Sequence, residues 1–380
     1  MNRATGHVLP AAGRGEYGGV PVRRTTPKRH RFAGVEESAP FDKESTMPDR
    51  TTAADLGPTP VRPPLDPELA PVEAELRENL PALSDATLPE ARRLTAQGLP
   101  GEGPEELRAG GRVRLSEFRV PGPEGAPDLT LLVLSPAGHR EPVGGIYHIH
   151  AGGTVVGDRR NGLRTVLPFV AEGAAVVVSV EYRLAPEHPD PAPVEDCYAG
   201  LVWTAKNAER LGIRPERLLV LGASAGGGLA AGTALLARDR GFPGLSHQVL
   251  MCPMLDDRFG THSSRMLDGT GTWDRNAALY AWNALLGDRR GGPDVSPYAA
   301  PARAADLAGL PRTYLDTGSA EGFRDEILDY ARRLSEAGVS VDLHMWGGGF
   351  HGFDWTVPDA AVSRAATATR EAFVRRALDI

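Results

Sequence analysis

Residues 217–230 read RLLVLGASAGGGLA, and this stretch decides the fold. The apolar run at 218–221 predicts a buried strand of a parallel sheet, and small helix-forming residues follow it. Between them, Gly222 and Gly226 flank Ser224 in the spacing G-x-S-x-G. Small residues are needed there because so tight a strand-to-helix turn strains the backbone and approaches neighbouring strands. The pattern predicts a nucleophile elbow that presents the Ser224 hydroxyl above a sheet.

Segments that read as strands recur along the chain and alternate with helical patterns. Eight are predicted, at residues 112–120, 129–134, 143–149, 174–180, 218–221, 247–251, 313–316 and 341–346. The first two fit an antiparallel pair, whereas strands separated by helices form parallel pairs. The prediction is an α/β fold with a mostly parallel, doubly wound, eight-stranded sheet flanked by helices.

Three further segments differ from the sheet region in composition. Residues 1–62 are rich in Gly, Pro, Arg, Thr and Glu without apolar periodicity, which predicts a disordered extension. Met47 lies within it, which leaves open the hypothesis that translation starts there and not at Met1. Short amphipathic helices at 63–110 and a helical insertion near 255–292 are predicted to form a cap. The catalytic domain would then span 111–380.

Composition excludes several classes of protein. The net charge of −7 argues against a nucleic-acid partner, because phosphate binding needs a basic face. The sequence has no run of 18 apolar residues, so no membrane partner is expected. The two cysteines, Cys197 and Cys252, are too few for a disulfide framework or a metal cluster, and we expect buried free thiols. A cytoplasmic protein without a metal or cofactor is predicted.

A serine nucleophile needs a base and an acid that orients the base. In this fold the acid and then the histidine follow the serine. His351 is the predicted base because it lies on the loop after the last strand, whereas His344 lies inside that strand. The acid should follow the strand at 313–316. Glu321, in the loop, is favoured over Asp325, which opens a helix where acids also serve as caps.

A pair of glycines, Gly152 and Gly153, follows the third predicted strand. Their N–H groups, together with that of Ala225 after the serine, would form an oxyanion hole. Each such donor contributes roughly a hundredfold or more in rate. Two alternatives remain open. Residues 152–153 could be a glycine turn without an oxyanion hole, and Ser224 could be a non-catalytic serine in a glycine-rich turn.

Five motifs in order resemble the hormone-sensitive-lipase-like esterases of the α/β-hydrolase fold. They are HAGG at 150–153, YRLAPEHP at 182–189, GASAGG at 222–227, GSAEGFRDE at 318–326 and HGF at 351–353, and the likeness runs from about residue 65 to the C-terminus. The resemblance implies Ser224 as nucleophile, His351 as base and Glu321 as acid, in place of the commoner aspartate. It also implies the same three oxyanion donors.

The resemblance extends to residues outside the catalytic set. It implies that Trp273 of the cap faces the acyl pocket. It also implies that Arg183, Glu187 and Asp196 form a buried scaffold of ion pairs behind the site, in which the neighbouring histidine of YRLAPEHP is not catalytic.

Two positions depart from the family's usual motifs. Ala151 replaces the first glycine of His-Gly-Gly-Gly, but both donor glycines remain, so we expect the oxyanion hole to survive. Ala223 replaces the aspartate of Gly-Asp-Ser-Ala-Gly, which removes a carboxylate beside the nucleophile. A shifted substrate range is one expected consequence.

The sequence therefore predicts a serine carboxylesterase that hydrolyses short- to medium-chain esters through an acyl-enzyme on Ser224. A deacetylase, amidase or lactonase with the same triad is the alternative enzyme. A non-catalytic receptor on this scaffold is the rival from another class, although His351, whose loss would mark it, is present. The expected partner is a small-molecule ester. The strand at 341–346 could also pair with a second copy in a homodimer.

Overall fold

A single mixed sheet forms the centre of the structure, which is a computed structural model describing residues 60–79, 82–97, 101–138, 141–269 and 271–380. Of the extension predicted at residues 1–62, residues 1–59 lie outside the described residues. Met47 lies there as well.

The sheet has eight strands in the described residues. They are β1 (Val113–Val120), β2 (Leu129–Pro136), β3 (Val143–Ile149), β4 (Ala175–Glu181), β5 (Ile213–Ala223), β6 (His247–Met251), β7 (Arg312–Gly318) and β8 (Val341–Trp346). Their spatial order is β1-β2-β4-β3-β5-β6-β7-β8. Strand β2 pairs antiparallel with β1 and β4, and the other neighbours are parallel. The predicted eight-stranded, mostly parallel sheet is confirmed.

Helices connect the strands and cover the sheet. They are α1 (Ala70–Asn79), α2 (Leu88–Ala96), α3 (Pro104–Leu107), α4 (Leu167–Ala171), α5 (Ala192–Lys206), α6 (Ala208–Leu211), α7 (Ala225–Asp239), α8 (His262–Arg265), α9 (Arg275–Leu286), α10 (Arg324–Glu336), α11 (Phe353–Thr356) and α12 (Ala361–Leu378). The helix predicted over 194–211 is divided in two, because Asn207 departs from helical geometry at φ −108° and ψ 15°.

Alternate residues of the central strand β5 pack against opposite layers, as the two-residue period of a strand requires. Val220 joins the cluster that includes residues of α5, α7 and α10. Leu219 and Leu221 join the cluster that includes residues of α4 and α12. Residues 218–221 of β5 are therefore buried on both faces, which explains their unbroken apolar sequence.

Helix α7 packs unusually close to neighbouring backbone. A methyl group built on Gly228 would lie 2.1 Å from the carbonyl oxygen of Met254, and one on Gly232 would lie 2.1 Å from that of Tyr298. Glycine is required at both positions because any side chain would collide with main-chain atoms. These two glycines therefore let α7 approach the main chain of the segments that contain Met254 and Tyr298.

The N-terminal helices contact the loop after β3 and the inserted segment. Arg92 of α2 donates from Nε to the carbonyl of Val155 and from Nη2 to that of Ala185, both at 2.8 Å. Tyr280 of α9 donates to Asp85 at 2.8 Å. These contacts support the predicted cap, whose boundaries at 63–110 and 255–292 stay predictions, as does the domain at 111–380.

The expected buried scaffold behind the site is only partly correct. Asp196 is fully buried and accepts from Arg183 Nη2 at 2.7 Å and Nε at 2.8 Å. Glu187, by contrast, has a side chain that is 55% exposed, and it pairs with Arg92 at 2.7 Å. Its placement in the scaffold was wrong, because the turn before α5 directs this carboxylate outwards to the cap.

Cys197 and Cys252 are buried free thiols, as predicted. Of the helices in the described part of the chain, none combines the length and the apolar character needed to cross a bilayer.

Strand β3 carries the buried His148, and the buried His150 directly follows its last residue. Burial lowers the pKa of His148 to about 3 and also lowers that of His150. His148 Nδ1 lies 2.9 Å from Ser179 Oγ, which gives the neutral ring a hydrogen-bond partner. The folded protein therefore holds these rings uncharged where an unfolded chain would protonate them.

We expect His148 to make the fold less stable in acid. Between pH 6.5, the ordinary pKa of histidine, and pH 3, the unfolded chain binds a proton that the folded chain does not. The free energy of unfolding should fall by about 1.4 kcal/mol per pH unit from this group. Urea denaturation at pH 7, 6 and 5 measures the slope. His148→Gln should show a shallower loss below pH 6, and identical slopes in both proteins would contradict this account.

Candidate active site

Ser224 joins β5 to α7 in a strained conformation, with φ 54° and ψ −123°. The two flanking glycines make this possible. A methyl group on Gly222 would lie 2.1 Å from the carbonyl oxygen of Gly226. One on Gly226 would lie 2.2 Å from that of Ile149. The G-x-S-x-G pattern therefore reflects main-chain contacts on both sides of the serine.

The structure brings the three predicted catalytic side chains into one hydrogen-bonded row. His351 Nε2 lies 2.9 Å from Ser224 Oγ, and His351 Nδ1 lies 2.9 Å from Glu321 Oε2. Glu321 is fully buried, and its Oε1 accepts from Thr317 Oγ1 at 2.6 Å. With Nδ1 donating to the carboxylate, Nε2 presents its lone pair to the serine hydroxyl. This arrangement can take the proton from Ser224.

The other acids of this loop have different partners. Asp325 accepts from the N–H of Ser263 at 2.8 Å, and Glu326 accepts from that of Leu255 at 2.8 Å. Both therefore attach the inserted segment to the start of α10. In the described residues Glu321 is the carboxylate bonded to His351, which favours it as the acid.

A buried ion-pair network lies behind the triad, and the sequence did not reveal it. Arg370 of α12 pairs with Asp354 at 2.8 Å and with Asp316 at 3.4 Å. Asp316 also accepts from the N–H of Cys252 at 3.2 Å. The network joins α12 to strand β7, to helix α11 and to the residue that follows β6. An arginine within an amphipathic helix carries no motif, so only packing could identify it.

The predicted oxyanion loop has the backbone that its glycines allow. Gly152 and Gly153 have φ of 118° and 61°, in the left-handed region. A methyl group on Gly153 would lie 2.7 Å from the Trp273 ring. Among the hydrogen bonds of the described residues, none uses the N–H of Gly152, Gly153 or Ala225. These three donors are free for a ligand oxygen.

The replacement at Ala151 is tolerated for a backbone reason. Ala151 is not among the residues with positive φ, so it needs none of glycine's freedom. Its carbonyl oxygen lies 2.8 Å from His150 Nδ1, and the His150 ring stacks on Tyr182 with centroids 4.1 Å apart. The Tyr182 hydroxyl donates in turn to the His150 carbonyl at 3.0 Å. These contacts hold the loop in place beside the elbow.

Aromatic rings surround His351. The centroid of the Trp273 ring lies 6.2 Å from that of His351, and the expected place of Trp273 at the acyl pocket stays a prediction. Phe323 and Trp355 meet the imidazole edge-on at 5.3 and 6.2 Å. Neither of these two was predicted as a site residue, although Phe323 lies inside the motif at 318–326 and Trp355 lies two residues after the motif at 351–353. Their aromatic character so close to Glu321 and His351 was the sequence signal that could have identified them.

Cys252, Glu321 and His351 place their potential ligand atoms within 4.8 Å of one another. Metal ligation by cysteine requires a thiolate, and burial raises the pKa of the Cys252 thiol. Both ring nitrogens of His351 already have protein partners. The donor set therefore fits a hydrogen-bonded triad better than a metal centre.

Comparison with known proteins agrees with this geometry. Residues 146–354 match a family described as alpha/beta hydrolase fold. Carboxylesterase NlhH of Mycobacterium tuberculosis is 36% identical over 336 residues, which cover 84% of this chain and 98% of that protein.

Two solved structures are similar over most of their length. The one titled Bacterial Heroin Esterase has a TM-score of 0.74 and 42% identity, covering 83% of this chain and 98% of its own. Esterase LipW from Mycobacterium marinum has a TM-score of 0.72 and 34% identity, with coverage of 83% and 98%.

Proposed function

The chain belongs to the hormone-sensitive-lipase-like carboxylesterases of the α/β-hydrolase fold, and we propose that Ser224, His351 and Glu321 carry out its ester hydrolysis. The observation that carries the proposal is the row of two 2.9 Å contacts from Ser224 through His351 to Glu321. A receptor without catalysis would have no need of a buried carboxylate aligned on that histidine.

Acylation begins at the serine. As Ser224 Oγ attacks the ester carbonyl carbon, its proton passes to His351 Nε2. Glu321 stabilises the imidazolium that forms and keeps Nδ1 as the donor. When the tetrahedral intermediate collapses, the imidazolium gives the proton to the leaving alkoxide, and the alcohol departs. The acyl group remains on Ser224.

The negative charge of the intermediate falls on the former carbonyl oxygen. The free N–H groups of Gly152, Gly153 and Ala225 supply the donors for it. The Gly152 carbonyl accepts from the N–H groups of Val155 and Val156, both at 3.0 Å, which holds the loop that carries the first two donors. These donors are therefore in place before the substrate arrives, and they need no reorganisation at the moment of reaction.

Deacylation repeats the same steps with water. His351 takes a proton from the water, whose oxygen attacks the acyl carbon, and returns that proton to Ser224 Oγ as the carboxylic acid leaves. The half-buried Trp273 ring lies tilted beside the imidazole, with ring centroids 6.2 Å apart, so the substrate meets an apolar surface there. We propose short- to medium-chain acyl groups as substrates on this basis.

Labelling by an active-site fluorophosphonate tests the nucleophile directly. The expected result is one adduct, located by peptide mapping on the peptide that contains Ser224, because only an activated serine reacts with this reagent. Heat-denatured protein, in which the triad is dispersed, should remain unlabelled. An adduct on a different serine, or none on folded and active protein, would refute the assignment.

Two other expectations stay predictions. The cytoplasmic location rests on composition and free cysteines. The homodimer rests on β8, which is an edge strand of the sheet and carries the exposed side chains of Leu343 and Met345. A second copy could pair with the unpaired backbone of that edge.

A further inference from the structure

Arg92 of helix α2 is bonded to the loops that follow strands β3 and β4. Its Nε donates to the carbonyl of Val155 at 2.8 Å, and its Nη2 donates to the carbonyl of Ala185, also at 2.8 Å. Val155 and Ala185 are both fully buried, so their carbonyls depend on partners within the protein. A charged side chain of the cap therefore satisfies two main-chain acceptors outside the cap.

The two carbonyls belong to segments that are also bonded to each other. The N–H of Ala185 donates to the Thr154 carbonyl at 2.9 Å. Thr154 has φ 64°, which a β-branched residue adopts only where its surroundings hold the backbone in place. Arg92 thus completes a three-way contact among helix α2, the loop after β3 and the loop after β4.

The loop after β3 carries two of the proposed oxyanion donors, the N–H groups of Gly152 and Gly153. The N–H of Val155 donates to the Gly152 carbonyl at 3.0 Å, while the Val155 carbonyl accepts from Arg92. A single residue therefore links the guanidinium to the first of the two glycines. Donors that point at a ligand take their direction from the backbone alone, so a contact that fixes the end of this turn also fixes them.

Glu187 holds the guanidinium in this orientation. Its carboxylate oxygens accept from Arg92 Nη1 at 2.7 Å and from Nη2 at 2.8 Å, which makes a bidentate pair. The hydrogen bonds from Arg92 lower the pKa of Glu187 to about 2, so the carboxylate is charged at neutral pH. Because the Glu187 side chain is 55% exposed, the pair adds little to the stability of the fold. Its effect is geometric, since it fixes the plane of the guanidinium and thereby the direction of the bonds to the two carbonyls.

We propose that Arg92 is a positioning residue of the oxyanion hole and acts by fixing the turn at residues 152–155. The inference rests on the proposed function, since these donors stabilise an oxyanion only if an ester is attacked at Ser224. Without Arg92, two buried carbonyls would each lose a partner, and the turn would have to move to regain one. The oxyanion donors would move with it. Among the described residues no hydrogen bond joins Arg92 to the triad, so the nucleophile and its base would stay in place.

An ester and its thiono analogue distinguish a displaced oxyanion hole from a damaged fold. In the O-p-nitrophenyl thiono ester of butyric acid, sulfur replaces the carbonyl oxygen, and sulfur accepts hydrogen bonds poorly. Wild-type kcat/KM should therefore be higher for p-nitrophenyl butyrate than for the thiono ester by about a hundredfold or more. Both rates scale with the amount of folded enzyme, so their ratio is unaffected by a loss of folded protein.

The variant Arg92→Met removes the donors and keeps an unbranched side chain. Its ratio of ester to thiono-ester kcat/KM should fall about tenfold, because a displaced donor costs less than the roughly 10²- to 10³-fold of a removed one. The decrease for p-nitrophenyl butyrate should lie in kcat, with KM within about threefold of the wild-type value. Arg93→Met is the matched control and should keep the wild-type ratio. Arg93 is the next residue of α2, is 58% exposed and pairs with Glu90 of the same helix at 2.6 Å.

Two further variants decide the matter if Arg92→Met does not fold. Arg92→Lys keeps the charge, but one ammonium cannot reach the carboxylate and both carbonyls as the guanidinium does, so the ratio should fall about threefold or more. Glu187→Gln leaves Arg92 in place with a weaker partner, so the ratio should fall by a smaller factor of about two. Circular dichroism checks the fold of each variant.

A wild-type ratio in folded Arg92→Met, or in Arg92→Lys if only that variant folds, would overturn the proposal. An equal decrease in the rates on both esters would overturn it as well, because it would mean that Arg92 only supports the fold. So would a fall of the ratio in Arg93→Met as large as that in Arg92→Met. Failure of the proposed function has a different signature, since the wild-type protein would then not hydrolyse p-nitrophenyl butyrate, and the inference would fall with it.

Discussion

Replacement of Ser224 by alanine is expected to lower kcat/KM for p-nitrophenyl butyrate by about 10⁴- to 10⁶-fold. The hydroxyl oxygen is the atom that would form the acyl bond, and alanine supplies none. The residual rate would come from the oxyanion donors and from substrate binding, neither of which depends on Oγ. Steady-state hydrolysis gives the ratio, measured with preparations of both proteins that are free of contaminating esterases.

The fold should survive this change. The Ser224 side chain makes no capping hydrogen bond to α7, and its recorded partner is His351. The thermal midpoint should therefore stay within a few degrees of the wild-type value. Ser340→Ala, at an exposed position before β8, is the matched serine control and should retain full activity. Wild-type turnover by a folded Ser224→Ala protein would remove Ser224 from the mechanism.

Glu321→Gln is expected to lower kcat/KM by about 10⁴-fold. The amide has nearly the same shape, so the contact with Thr317 can remain. An amide N–H facing His351 Nδ1 would, however, force the ring into the tautomer that protonates Nε2. The base would then present a hydrogen to Ser224 where a lone pair is needed. The same ester assay measures this loss, and circular dichroism checks the fold.

The variant Asp325→Asn tests which of the two candidate acids, Glu321 or Asp325, orients His351. Asp325 bonds to Ser263 and Arg324 and makes no contact with His351, so its variant should keep activity within about threefold. A large loss in Asp325→Asn together with near-normal Glu321→Gln would exchange their roles. Equal, small losses in both would mean that the histidine needs no carboxylate.

Much of this architecture followed from local sequence. The apolar run at 218–221 had to be a strand buried on both faces, because no polar residue interrupts it. Gly222, Gly226 and Gly153 had to be glycines, because a methyl group would collide with carbonyl oxygens or with Trp273. The Gly222 contact lies within one motif, whereas Gly226 and Gly153 meet Ile149 and Trp273, which are distant in the chain. The sequence shows these two glycines as members of motifs, and their contacts come from the fold.

Other features depend on contacts between distant segments. Arg370 is buried because Asp354 and Asp316 meet it from other elements, which no helical pattern could indicate. Glu187 lies in a motif expected to be buried, yet it turns out to pair with the cap at Arg92. Side chains such as these take their burial and charge partners from packing, and sequence periodicity carries no record of it.

The sequence by itself therefore determined the sheet, the elbow, and the residue types on the loops that follow its strands. The tertiary structure alone decided which acid reaches His351 and which rings surround it. The physical reason is the distance along the chain between the residues that interact. Strand and turn chemistry are set within a dozen residues, whereas a site is assembled from loops that only the closed sheet brings together.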